Sequence, residues 1–143
     1  MPAFSCRNRT LGASEDRKIR GVDHGDAPES LRRLRQICLA LPETTERLSH
    51  GEPTWFITGK SFATFAHHHH DDRVGFWCAT PVGLQQSMVA TDPLKYFVPP
   101  YVGHRGWLGV YLDVTVDWLD VVDIIETAYR EVAPGRLVAE LDG

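Results

Sequence analysis

The sequence predicts a single α+β domain built as one antiparallel sheet with two long helices on one of its faces. Three observations carry that expectation. Apolar residues recur at three- and four-residue steps near each end of the chain, over residues 31–41 and 118–132, and alternate at the two-residue strand period between them. A length of 143 residues suits one core and not two. Apolar residues make up 43% and charged residues 24%, the balance of a globular chain rather than a disordered one.

Each element follows in order. Residues 1–27 mix Arg7, Arg9, Arg17, Lys18 and Arg20 with Glu15, Asp16, Asp23 and Asp26, show no periodicity, and are expected to form a disordered tail. The domain proper is expected over residues 28–135. Leu31, Leu34, Cys38 and Leu41 mark an amphipathic helix that Pro28 opens and Pro42 stops, with Arg32, Arg33 and Arg35 on its polar side. Strands are predicted around Thr54 to Thr58, from Ser61 to His68 and from Arg73 to Ala79, with turns at Gly59-Lys60 and His69 to Asp72. A short helix from Val82 to Ala90 ends at Asp92-Pro93. From Trp107 to Val116 the alternation of Leu108, Val110, Leu112, Val114 and Val116 gives the clearest strand. Asp117 then caps a helix whose stripe is Trp118, Val121, Val122, Ile125, Tyr129 and Val132, and Pro134-Gly135 closes it. Residues 136–143 are left as a short C-terminal tail.

Composition excludes several classes of function. No run approaches the ~20 apolar residues of a membrane span, and the first residues lack the apolar core of a secretory signal, so a cytoplasmic protein with no membrane partner is expected. Cys6, Cys38 and Cys78 are odd in number and widely spaced, which fits reduced thiols. A formal charge of −4 argues against a protein that coats nucleic acid, although protonation of its seven histidines would reverse the sign.

Gly59-Lys60-Ser61 resembles the end of a phosphate-binding loop, but Thr54 stands where the earlier glycine belongs and a strand follows, so a hairpin turn is expected. His67 to His70 could place His67 and His69 on one face as weak, adventitious metal ligands; no further Cys/His set completes a site, and no cofactor is expected. No activated serine or cysteine is recognisable, so no catalytic residue is assigned. Asp113 and Asp117 read as a solvated strand residue and a helix cap. The segment from Phe97 to Gly109, FVPPYVGHRGWLG, is the best functional candidate, since His104 and Arg105 can meet phosphate while Tyr101 and Trp107 offer ring faces.

From Leu34 to Pro134 the chain resembles the MmcQ/YjbR family of small bacterial proteins, through LALPETTERLSHGEPTW, GKSFATF, RVGFWCATP, DPLKYFVPPYVGHRGWLGVYLDV and AYREVAP in that order. The resemblance implies a CyaY/frataxin-like α+β fold and DNA binding through a double-wing arrangement of hairpins. Carried over by position, the family-type residues are His50, Gly51, Pro53, Lys60, Phe62, Trp77, Pro100, Tyr101, Gly103, Gly106, Trp107 and Tyr129. The iron-binding analogy of that fold is not supported, because Arg32, Arg33 and Arg35 make the first helix basic.

The leading expectation is therefore a non-enzymatic DNA-binding or regulatory protein. Lys60, Arg73, Lys95, His104 and Arg105 would contact phosphate, with Tyr101 and Trp107 as apolar platforms. A small-ligand or metal-binding protein, using the histidine run or a pocket beneath Tyr101 and Trp107, is the alternative. A transferase comes third, with no residues to carry it.

Overall fold

Two tight turns start the sheet, and both rest on residues held at positive φ. His50 and Gly51 lie at 53° and 83°, Thr58 and Gly59 at 50° and 84°, the backbone that a primed two-residue hairpin turn requires at both centres. They join β1 (Thr44–Ser49), β2 (Glu52–Ile57) and β3 (Lys60–His67). The computed structural model describes residues 28–67 and 73–143. The expected N-terminal tail and His69 lie outside the described residues.

The other elements are α1 (Glu29–Leu39), β4 (Val74–Cys78), α2 (Leu84–Thr91), β5 (Tyr96–Phe97), β6 (Leu108–Tyr111), α3 (Trp118–Val132) and α4 (Gly135–Asp142). Leu34 to Gly143 form one compact unit, which holds the whole sheet. Its six strands run in the order β1-β2-β3-β4-β6-β5, and every pairing is antiparallel.

Register decides what each face carries, because successive side chains on a strand point to opposite sides. Glu46, Trp55, Ala63, Cys78 and Leu108 lie opposite one another in a row across five strands, and all but Glu46 are fully buried. This is the helix-covered face. Phe62 is the extra residue of a bulge in β3 opposite Trp55 and Phe56, and its ring meets that of Tyr129 in α3 edge to face at 5.8 Å. The Tyr129 hydroxyl donates to the Pro42 carbonyl at 2.7 Å. Glu46 is the polar member of the row: its carboxylate accepts two parallel bonds from Arg35 of α1, at 2.8 and 2.9 Å, and a third from the Trp55 indole N–H at 2.9 Å. A carboxylate turned inward is tolerable only with such partners.

The two long helices appear where periodicity places them. In α3 the Asp117 side chain accepts from the Leu119 N–H at 3.0 Å, as a cap should. Four differences have physical reasons. β1 escapes the pattern because TTERLS, an outer strand with Leu48 71% exposed, has no apolar alternation. The turn after β2 is Thr58-Gly59, one residue earlier than expected. β6 stops at Tyr111 instead of Val116, since its neighbour β4 begins at Val74, whose carbonyl takes the last bond from Leu112 N–H. The C-terminal segment is helical, with Leu137 fully buried and the exposed pair Arg136–Glu43 tying its first turn to the turn between α1 and β1.

Candidate functional site

The uncovered face carries the alternate row: Arg47, Thr54, Thr64, Trp77, Gly109 and Phe97 stand opposite one another from one edge of the sheet to the other. Gly109 leaves room here for the Phe97 ring, which a Cβ would have to displace. Phe97 lies over it and stacks on Tyr111 at 4.4 Å, and the Arg73 guanidinium stands 3.7 Å from the Tyr111 centroid.

The connection from β5 to β6 folds over this face and is held from beneath. Gln85 of α2, which is 5% exposed, donates from Nε2 to the carbonyls of Gly103 at 2.9 Å and Trp107 at 2.6 Å. Both partners are acceptors, so the amide's NH2 must be the end that faces them. Buried Thr80 donates to the Gly106 carbonyl. Between these anchors Gly103–Arg105 form one 3-10 turn that Gly106 closes at φ 85°.

Tyr101 sits at φ 68°. That is a left-handed conformation a bulky residue rarely adopts, and it stores on the order of 1–3 kcal/mol. The anchored connection sustains it, and the result is a ring 74% exposed, with its centroid 6.4 Å from that of Trp77.

Between the row, the first hairpin and this connection opens a cleft of about 500 Å³. Thr54, Ser61, Thr64, Phe65 and Trp77 line it from the sheet. Ser49, His50 and Glu52 line it from the β1–β2 hairpin, and Tyr101, Val102, Arg105 and Trp107 from the connection. The Thr54 and Thr64 hydroxyls share a 2.7 Å hydrogen bond, and Glu52 accepts from the His67 backbone N–H at 3.1 Å. Arg105 lies over Trp107 at 5.4 Å. Concave, ring-lined and edged by a few polar groups, the cleft has the size and chemistry that hold small ligands.

Of the residues singled out by sequence, Tyr101, Arg105 and Trp107 come together here. Trp107 is only 6% exposed, so most of its surface is committed to packing. His104 is exposed in the adjacent turn but does not line the cleft. Lys60 is exposed at the second hairpin. Arg73 is bonded to Asp113 at 2.9 and 2.8 Å, and this pairing holds the Asp113 carboxyl below the usual range. Lys95 borders a separate small depression with Asp117 and Asp120. His67 is exposed at the end of β3, and among the described residues no three His, Cys, Asp or Glu gather as metal ligands. Cys38 and Cys78 are buried on the helix-covered side, where desolvation pushes both thiols up and away from reactive thiolate.

Sequence reasoning missed Ser49, His50, Glu52 and Gln85 as parts of this site. His50 and Trp77 were visible only as family-type positions.

The family model described as YjbR matches residues 39–131, the stretch that supplies every lining residue of the cleft. The chain belongs to the YjbR family. The YjbR-matched region begins at the last residue of α1 and ends within α3, so it spans the entire sheet. Among solved structures, the Deinococcus radiodurans protein DR2400, described as a DUF419 domain, is similar with a TM-score of 0.62 at 16% identity, over 71% of this chain and 77% of that one. At that identity the likeness is one of fold. No curated protein matches the chain. No helix among the described residues is long and apolar enough to cross a membrane.

Proposed function

We propose that this YjbR-family chain is a binding protein whose site is the cleft on the uncovered sheet face, and that its ligand is a small molecule with a flat ring. One observation carries this: a cleft of about 500 Å³ has four aromatic residues, Phe65, Trp77, Tyr101 and Trp107, in its lining, and one of them, Tyr101, is kept in a strained backbone by a connection pinned through buried Gln85. Strain held by surrounding structure is characteristic of binding sites.

The test is a titration with indole and with adenosine, read by 1H–15N spectra. Shifts should concentrate on Tyr101, Val102, Trp107 and His50. Tyr101→Ala should weaken binding by about 1 kcal/mol, roughly fivefold, for loss of one ring contact. Its side chain is exposed, so the fold survives. No shift from either probe at millimolar concentration would refute the proposal.

Nucleic acid is the second reading, favoured by the exposed His104 and Arg105 beside Tyr101. A base stacked on Tyr101 would bring its phosphate to those cations. Stacking on one exposed ring needs an unpaired base, so single strands are expected to bind before duplex. Fluorescence anisotropy across salt separates the two. If a phosphate meets Arg105, Arg105→Ala flattens the salt slope by about one counterion; no association of either oligonucleotide at low salt and pH 6 removes this reading.

A further inference from the structure

The described arginines fall into two groups. Six have carboxylate partners: Arg32 and Arg33 with Glu29, Arg35 with Glu46, Arg73 with Asp113, Arg130 with Asp142 and Arg136 with Glu43. The remaining two among the described residues, Arg47 and Arg105, each lie over an aromatic ring instead, Phe56 at 3.8 Å and Trp107 at 5.4 Å. Both belong to the uncovered face. Arg47 stands in β1 at one end of the row that crosses it, and Arg105 lines the cleft from the opposite wall.

In a chain where 19 acidic residues outnumber 15 basic ones, two guanidiniums on one face without a carboxylate partner among the described residues are a departure that calls for a counter-charge. Stacking on a ring occupies the flat side of a guanidinium and leaves its N–H edge available, and that edge matches a carboxylate or phosphate in two parallel bonds. The one acidic residue in the cleft lining, Glu52, is directed to the His67 backbone N–H. The hydroxyls of Ser49 and Ser61 are further donors within the same lining.

We infer that the ligand of the cleft is a flat ring bearing an anionic group, carboxylate or phosphate, with the ring against Tyr101 and Trp77 and the anion on Arg105. This rests on the cleft being the binding site. Arg47 is three strands from Trp77, roughly 14 Å at about 4.8 Å per strand, so Arg105 is the primary contact and Arg47 adds attraction from the rim.

Two pairs of probes test this: indole with indole-3-acetate, and adenosine with adenosine 5′-monophosphate, titrated by calorimetry into the full chain. The charged member of at least one pair should bind on the order of tenfold more tightly than its neutral parent, and the pair showing the gap identifies the anion. Arg105→Gln should close the gap by weakening the charged probe more than its neutral parent. Arg47→Gln should narrow it about twofold, an effect that raised salt mimics. Both side chains are exposed, and circular dichroism verifies the fold of each variant. Equal binding of charged and neutral probes to the unaltered chain, or a gap that persists in Arg105→Gln, overturns the anion inference and leaves the cleft standing. Failure of all four probes to bind overturns the cleft as well.

Discussion

Replacing Gln85 with methionine removes the amide that pins the β5–β6 connection while nearly preserving volume, and its cost can be worked from the hydrogen bonds. The Gly103 carbonyl also accepts from the Gly106 N–H at 3.0 Å, so it would lose one of two bonds, worth about 0.5–1.5 kcal/mol. The Trp107 carbonyl, bonded to Gln85 at 2.6 Å, would be left buried without that donor, at about 1–3 kcal/mol. Together they give a loss of about 1.5–4.5 kcal/mol. With a urea slope near 2 kcal/mol/M for a domain of this size, the midpoint should fall by roughly 1–2 M. Gln85→Glu supplies the electrostatic check. A carboxyl facing two carbonyl oxygens is favoured in its neutral, proton-donating form, so its folded pKa is raised above the unfolded value. The folded state then binds more protons, and stability should decline as pH rises through that raised pKa. Urea melts followed by tryptophan fluorescence from pH 4 to 8 measure both. A Gln85→Met loss under about 0.5 kcal/mol, with the connection unmoved in 1H–15N spectra, would show that the amide does not hold the cleft wall.

Three further outcomes follow from packing and charge. Gly75→Ala should destabilise by about 1–3 kcal/mol in a thermal melt, because the added Cβ meets the Val110 carbonyl of the neighbouring strand and β4 and β6 must part; an unchanged melting temperature would contradict that register. Leu137→Ala should lose about 2–5 kcal/mol in urea, since the side chain is fully buried, and a loss below about 1 kcal/mol would mean that α4 contributes little to the core. Asp113 has its folded pKa lowered by Arg73, so the stability this pair adds is present above the unfolded carboxylate pKa and is lost as pH falls through the lowered one. Asp113→Asn should therefore show a flatter stability profile on the acid side, and identical profiles would exclude the linkage.

Periodicity made the buried half of the molecule legible and the site only partly so. α3 announced itself because Val121, Ile125 and Tyr129 repeat on one face and Asp117 has the chemistry of a cap. β1 did not, since an outer strand needs no apolar alternation and takes its place from the hairpin turn at His50-Gly51. The connection through Tyr101 and Arg105 stood out by composition, as rings and cations are expensive to place in an ordinary loop. Its support did not: Gln85 lies in a helix whose sequence reads as polar on that side, and only folding brings it under Gly103 and Trp107. Lys60, Arg73 and Lys95 are equally cationic in the sequence, and only folding shows that Lys60 sits at a turn, Arg73 in an ion pair and Lys95 beside a small depression.

The inward carboxylate of Glu46 has a consequence for how copies of this chain meet. β1 ends the sheet on one side, and β5, at the other, is only two residues long. Among the described residues the longer edge strand is thus β1, where a stray extended segment could add itself to the sheet. Glu46 and Arg47 place opposite charges on opposite faces of that strand. Glu46 is held by Arg35 and Trp55, and Arg47 by Phe56. An apolar strand docking alongside would have to lie against a charge whichever face it matched, so the edge discourages lateral growth into fibrils at the same place where it frames the rim of the cleft.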